Sequence, residues 1–245
     1  MEVHHHSHTP RKKWTHYFWE FLMLFLAVTA GFLAENLREH RIEHGREKEL
    51  MHSLLQDLEA DIYQIDSLKI RRKSRNDSCD LLISMLADPA AVRNQGAAIY
   101  FYGRNATRRI HFRPQDGTLQ QIRNSGGFRV IHDTAVLHDI NAYELQLKSN
   151  LENIEVEEKE LSEYSQLAAK LFDVKVFQEM TKNNMVERPA GNPGLLSYDR
   201  GMLNELGNKL HYWKRTSLSA MERLDILKFT AQRLIVSIKD EYHLK

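Results

Sequence analysis

Cys79 is the only cysteine among 245 residues, so no intramolecular disulfide holds this chain together. That suits an intracellular protein, and equally a bacterial exterior domain stabilised by its core alone. Thiolate chemistry needs an electropositive setting. Cys79 has Asp80 beside it and no histidine close in sequence, and it reads as a small buried apolar residue. Glycine and proline are scarce, at 11 and 5 residues, and both weaken helix interiors. Charge of one sign is also missing: 34 Lys and Arg face 33 Asp and Glu, for a net charge of +1. This near-balance excludes the domain-wide basic field with which a nucleic-acid-binding domain holds phosphates. There is no P-loop, no dinucleotide glycine fingerprint and no nucleophile elbow. No cofactor and no small-molecule substrate is indicated, and an enzyme is not expected. Leu, Glu, Lys and Arg are plentiful instead, a profile of long helices on a chain long enough to bury a core.

The one long uncharged run is Phe21 to Ala34. Arg11, Lys12 and Lys13 precede it, followed by Trp14, Tyr17, Phe18 and Trp19. Basic residues followed by amphipathic aromatics are how a spanning helix meets lipid headgroups. Tyr17 to Ala34 is 18 residues, which as a helix covers ~27 Å at ~1.5 Å per residue. A hydrocarbon core is ~30 Å thick, so the span is short but sufficient. Phe, Leu and Val between Phe18 and Leu33 favour insertion by ~3–5 kcal/mol if all sit centrally. Glu20 opposes this from near the headgroup end, where its cost is smaller than at mid-membrane. A membrane anchor is therefore expected over 14–34. Two other readings compete: a cleaved signal ending near Val28-Thr29-Ala30, and a buried core helix.

Four cations soon after the run (Arg38, Arg41, Arg46, Lys48) nearly tie the charge vote on orientation. Long following domains translocate largely regardless of charge. The expectation is a single-pass protein of the bacterial inner membrane, N-terminus cytoplasmic, with the large domain outside. An ionisable group at membrane depth is a functional candidate by default, so an oligomer lining an ion path with Glu20 is the alternative function. His16, one turn earlier, offers Glu20 a local partner and favours interfacial anchoring. Gly31 would permit close helix contact.

Beyond Ala34 nothing stops the helix. Met51, Leu55, Leu58, Ile62 and Ile65 recur at three and four residues, an amphipathic stripe that continues toward Leu86 and ends before Pro89. Residues 88–135 are punctuated by Gly and Pro. There Thr118 and Gln121 fit a capping box for a short helix closed by Gly126, and Asp133 suits the cap of the next helix. In that helix Leu137, Ile140, Leu147, Leu151, Ile154, Leu161, Ala168 and Phe172 share one register, interrupted by Glu144, Glu158 and Ser165. After a loop over 186–197 comes the most regular pattern in the chain. Leu203, Leu206, Leu210, Trp213, Ser217, Ala220, Leu224, Leu227, Ala231, Leu234 and Ile238 are almost strictly heptad. Three stripes need partners, and mutual antiparallel packing is the economical answer.

Glu20 to Asn36, followed by Arg38-Glu-His40 and Arg46-Glu-Lys-Glu49, resembles an uncharacterised family of single-pass bacterial membrane proteins of the Bacteroidota type. Thr118-Leu-Gln-Gln-Ile-Arg-Asn-Ser-Gly126 through Arg129-Val-Ile131 is similar to that family's second signature. The resemblance implies an envelope protein with a His-rich N-terminus and carries over no catalytic residue.

Three clusters bear on chemistry. His40, Glu43 and His44 match the H-x-x-E-H pattern of inverted zinc peptidases, in which two His one turn apart share a zinc. No third ligand is evident, so solvated juxtamembrane histidines are expected and a zinc hydrolase is the third functional reading. His4, His5, His6 and His8 form a tract that reads as a headgroup-facing tail rather than a metal site. Lys69, Arg71, Arg72, Lys73 and Arg75 are the densest basic run. They would sit ~50 Å along a continuous helix from Ala34, too far for lipid headgroups, and are expected to form a solvated face.

The sequence thus predicts an all-α protein. A tail (1–13) leads into a transmembrane helix (14–34), a juxtamembrane helix (35–87), an irregular insert (88–135) and two long helices completing an antiparallel, coiled-coil-like bundle (136–245). Its expected role is noncatalytic sensing, scaffolding or assembly through helix–helix interaction, with lipid and either a second copy or another envelope protein as partners.

Overall fold

A computed structural model describes residues 14–106, 108–124, 126–129, 131–182 and 185–244. The tail residues singled out above, His4 to His8 and Arg11 to Lys13, lie outside the described residues. Over the described residues the fold is all-α: 84% helical, with seven α-helices and essentially no sheet. The chain divides into two compact units, Met1–Glu49 and Leu50–Lys245. Helix α1, Trp14–Ala87, contributes to both.

Within the first unit, α1 turns its apolar side chains outward all round. Phe18, Phe21, Leu24, Phe25, Leu26, Val28, Phe32 and Leu33 are all exposed. Facing water, each such side chain would forgo ~1.5–3 kcal/mol of burial. The one hydroxyl in this stretch, Thr29 Oγ1, donates to the Phe25 carbonyl at 2.8 Å and so asks nothing of its surroundings.

The second unit is built on α1 from Leu50, on α5 (Thr134–Leu171) and on α7 (Arg200–Tyr242). Asp133 starts α5 by accepting the Val136 N–H at 2.7 Å, as expected. Asp199 starts α7 by accepting the Met202 N–H at 2.8 Å. At the other end of α7, His243 adopts a left-handed φ of 51° and closes the last turn onto the Lys239 carbonyl.

Ion pairs fix the directions. Along α1 and α7, Lys239 meets Glu59 at 3.5 Å, Lys228 meets Asp66 at 2.6 Å and Lys214 meets Asp80 at 2.5 Å, so the two helices are antiparallel. Helices α5 and α7 are antiparallel too, with Ser237 donating to Asp139 and Lys209 to Glu163, both at 2.6 Å. But Tyr143 bonds Asp61 and Glu157 bonds Arg72, so α1 and α5 run parallel. Mutual antiparallel packing therefore holds for two of the three pairs only.

Parallel neighbours require a return connection, and the insert supplies it. After α2 (Pro89–Asn94) and α3 (Gly96–Ala106), residues 108–116 run extended back along α1. Arg75 donates to the Arg108 carbonyl at 2.9 Å. Gln64 clasps Arg113 through both backbone groups, at 2.7 and 2.9 Å, and Asp61 accepts the Gln115 N–H at 2.8 Å. Side chains of α1 thus satisfy a backbone that has no ladder of its own.

The expected capping box at Thr118 is replaced. Helix α4 spans Gly117–Asn124, one residue earlier, and the Thr118 N–H donates at 3.2 Å to Asp57 of α1. A cap supplied from another helix outcompetes a local one because it also pins the strap. Gly126 follows with φ +69°, a left-handed position suited to glycine, and a 3-10 turn, Gly127–Arg129, leads toward α5.

Helix α5 ends sooner than its pattern suggests. Asp173 breaks it, accepting from Lys175 N at 2.9 Å to cap α6 (Val174–Met180). Two short strands, β1 (Thr181–Lys182) and β2 (Met185–Val186), pair antiparallel before the loop. The break lets the Phe172 ring lie against α3 at Gly103, where a Cβ would come within 2.7 Å of it.

Two apolar clusters result. One gathers Met51 to Leu68, Ile110 to Leu147 and Leu224 to Tyr242. The other gathers Cys79 to Ala106, Leu161 to Phe172, Met180 and Leu195 to Trp213. Between them the bundle is polar.

Candidate functional site

The expected anchor residues lie on the first turns of α1. Trp14, Tyr17 and Trp19 are exposed, and no part of the 18-residue apolar window is buried. A core helix would be mostly covered, so that reading does not fit; one long apolar helix near the N-terminus is a candidate membrane span. Glu20 sits 3.2 Å from His16, the local partner anticipated for it. Gly31 has nothing within 4 Å of an added Cβ, leaving that side of the helix open.

The H-x-x-E-H residues do not converge. His40 turns to Glu43 at 4.0 Å and His44 to Glu47 at 3.5 Å, with both imidazoles largely exposed. Among the described residues no three His, Cys, Asp or Glu side chains are grouped to hold an ion. Zinc hydrolysis requires three protein ligands and an open position, and this helix surface offers two.

The stripe on α7 is consumed within the chain. Leu203, Leu206, Leu210, Trp213, Leu224, Leu227, Leu234 and Ile238 are all buried in the two clusters. Its occupants within the chain are α1 and α5. The large apolar side chains that α7 leaves exposed are Tyr212, Ile226, Phe229 and Val236.

The basic run departs most from expectation. Lys73 is solvated and pairs with Asp77 at 2.8 Å, but Arg72 and Arg75 are buried. The α1 stripe continues Ile65, Leu68, Arg72, Arg75, Cys79, Leu82, Leu86 at three and four residues, which puts both guanidiniums at core positions. Arg72 forms a two-pronged bond with Glu157 of α5, and their side chains are 3% and 2% exposed. Both charges are removed from water, which is tolerable only because the fork geometry matches the carboxylate.

Arg75 has no such carboxylate. It donates to the Arg108 carbonyl and to Ser217 Oγ, each at 2.9 Å, and its guanidinium carbon lies 4.1 Å from the centre of the Trp213 ring. Burial, reinforced by the neighbouring Arg72, brings its guanidinium down to about 10, still a cation at neutral pH. Around the pair, His111 stands 3.3 Å from Glu158 and 3.8 Å from Glu157. Burial outweighs these carboxylates and holds the imidazole below its ordinary range. Glu160 accepts from Thr216 at 3.0 Å and is pushed up by burial. Cys79, one turn beyond Arg75, is fully buried, and burial pushes its thiol up to about 12. It is a protonated core residue, as read.

These groups form one layer across all three long helices and the strap. Chemically the layer offers fixed buried charge and no activated nucleophile. Mechanically it fixes register: sliding α1 against α5 by one turn would leave Arg72 and Glu157 buried apart, and sliding α7 would take Ser217 and Trp213 from Arg75. The three-and-four spacing running through Arg72 and Arg75 was the available signal, masked by the density of charge around it.

No protein-family model, no curated protein and no solved structure matches this chain. The resemblance of Glu20–Asn36 and Thr118–Ile131 to a single-pass envelope family gains no support there.

Proposed function

We propose that this protein is a noncatalytic module held in a bacterial inner membrane by residues 14–34 of α1, acting in sensing, scaffolding or assembly. The observation that carries the reading is the exposure of the whole apolar window on α1. Its side chains gain nothing from water, and lipid is the solvent that would accept them on every face. Trp14, Tyr17 and Trp19 would lie at one interface, with Glu20 and His16 pairing in the headgroup region. The bundle would stand on the outer side, and its register-fixing layer suits a rigid element better than a binding surface that must repack. Helix-mediated contact with a second copy or another envelope protein would fall to Tyr212, Ile226, Phe229 and Val236, since the buried stripe is occupied.

Leu24→Arg combined with Val28→Arg tests the anchor. Each arginine at the centre of a span costs ~2.5–3.5 kcal/mol, so the pair outweighs the ~3–5 kcal/mol favouring insertion. The double variant should move from the carbonate-resistant membrane fraction to the soluble one, with its bundle folded. Retention of both arginines in the bilayer fraction would refute the anchor.

A further inference from the structure

Where the insert leaves α1, a cleft of about 500 Å³ opens between α1, α3 and the strap. Arg71, Arg75 and Arg108 line it, and its wall contains no carboxylate. Arg71 and Arg108 are exposed, so their guanidiniums are free to turn onto a ligand. Arg75 is the fixed member: it is 5% exposed, bonded only to neutral acceptors, and among the described residues its Nε has no partner. A fourth guanidinium, that of Arg188, lies 5.2 Å from the centre of the Phe101 ring, which forms part of the same wall. The rest of the wall is partly apolar, through Ile70 and Ile110.

A buried cation with no carboxylate bonded to it, beside two exposed guanidiniums in a wall that holds no carboxylate, gives the cleft a positive potential, although Glu157 acts on Arg75 from within the bundle. Guanidiniums bind phosphate through paired N–H groups, a geometry lysine does not reproduce. The volume lies within the range of small-molecule sites, ~300–1,000 Å³. A cleft of about 450 Å³ between α4 and α5 makes the contrast: it mixes Asp116 and Glu144 with Arg123 and Lys148 and has no preference for either sign.

We infer that the α1–α3 cleft binds a small phosphomonoester, its phosphate held by Arg71 and Arg108 over the fixed charge of Arg75 and its organic part lying against Ile70, Phe101 and Ile110. This rests on the cleft alone and not on the membrane anchor.

The test is calorimetric titration of the full chain in detergent with phenyl phosphate and, separately, inorganic phosphate, for the wild type and for Arg71→Gln/Arg108→Gln. Both substituted side chains are exposed, so the variant should keep its melting temperature. Phenyl phosphate should bind the wild type, more tightly than inorganic phosphate, and at least about tenfold more weakly to the variant, the loss expected for charge-assisted bonds. Absence of binding at about 10 mM phenyl phosphate, equal affinity for the two probes, or an unchanged affinity in the variant would each overturn the assignment.

Discussion

Replacing Glu157 by Ala should be among the most damaging single changes available in this bundle. The substitution removes the only carboxylate that forks onto Arg72 and leaves a guanidinium that is 3% exposed inside the protein. Breaking a buried pair from one side costs ~3–5 kcal/mol, because the remaining charge keeps its desolvation penalty and loses its compensation. At ~2–4 °C per kcal/mol for a domain of this size, the melting temperature should fall by ~6–20 °C. His111 would not add to the imbalance, since losing the carboxylate 3.8 Å away favours its neutral form still more. The control is Arg72→Met with Glu157→Leu. Replacing both partners by apolar residues of similar size is often neutral or stabilising by ~1–4 kcal/mol, so the double variant should recover most or all of the loss. Thermal and urea unfolding of wild type, Arg72→Met, Glu157→Leu and the double variant, followed by circular dichroism, give the complete cycle, with Glu157→Ala measured beside it. A Glu157→Ala cost below ~1 kcal/mol, the value of an exposed pair, would show that the layer is solvated and the reasoning wrong.

Further outcomes follow from the same packing. Leu224 and Leu227 are 2% and 0% exposed, and truncating each to Ala should cost ~2–5 kcal/mol. Together they should unfold the bundle, whereas Phe229→Ala on the exposed face should leave the melting curve within ~0.5 kcal/mol of wild type. The Asp61 carboxyl is held above its ordinary value by burial, despite bonds from Tyr143 and Gln115. An acid with a raised folded value contributes its full stability below the ordinary carboxylate range and loses it as pH rises through the folded value. Asp61→Asn should therefore flatten the decline in melting temperature above the ordinary Asp range, and an unchanged pH profile would exclude this role. His111 has the opposite sign. Its depressed folded value leaves its contribution intact above the ordinary His range and removes it as pH falls through the lowered value, an effect that His111→Asn should abolish. Cys79 should react with a thiol reagent only on unfolding, and labelling at the rate of a free thiol in the native protein would contradict its burial.

Much of the architecture was legible because three-and-four spacing reports burial directly. All eleven positions of the α7 stripe are buried, and the end of α1 before Pro89 and the start of α5 at Asp133 carry the signals expected of them. The α5 stripe was half legible. Ile140, Leu147, Leu161 and Ala168 are buried, but between them the buried residues are Tyr143, Asn150, Glu157 and Tyr164, each one residue before the register positions Glu144, Leu151, Glu158 and Ser165. Leu151 is exposed instead. Apolar pattern alone favours Leu over Asn or Glu; the structure reverses this because each of the four polar groups finds a partner. Tyr143 meets Asp61, Asn150 meets the Gln146 carbonyl, Glu157 meets Arg72 and Tyr164 meets the Gly103 carbonyl. The partners of Tyr143, Glu157 and Tyr164 lie 61 to 85 residues away in sequence, so no local reading contains them. The same blindness hid Arg72 and Arg75, whose charge outweighed their register. It also hid the parallel relation of α1 to α5, which depends on a strap held by side chains rather than by any pattern of its own.

The central claim, that residues 14–34 remain in the protein and hold it in a membrane, is tested most directly by intact mass combined with protease accessibility in native membranes. The account predicts an uncleaved, carbonate-resistant chain whose bundle is digested only from the outer side. A mature chain lacking its first ~30 residues and released by carbonate would mean a cleaved signal and contradict it.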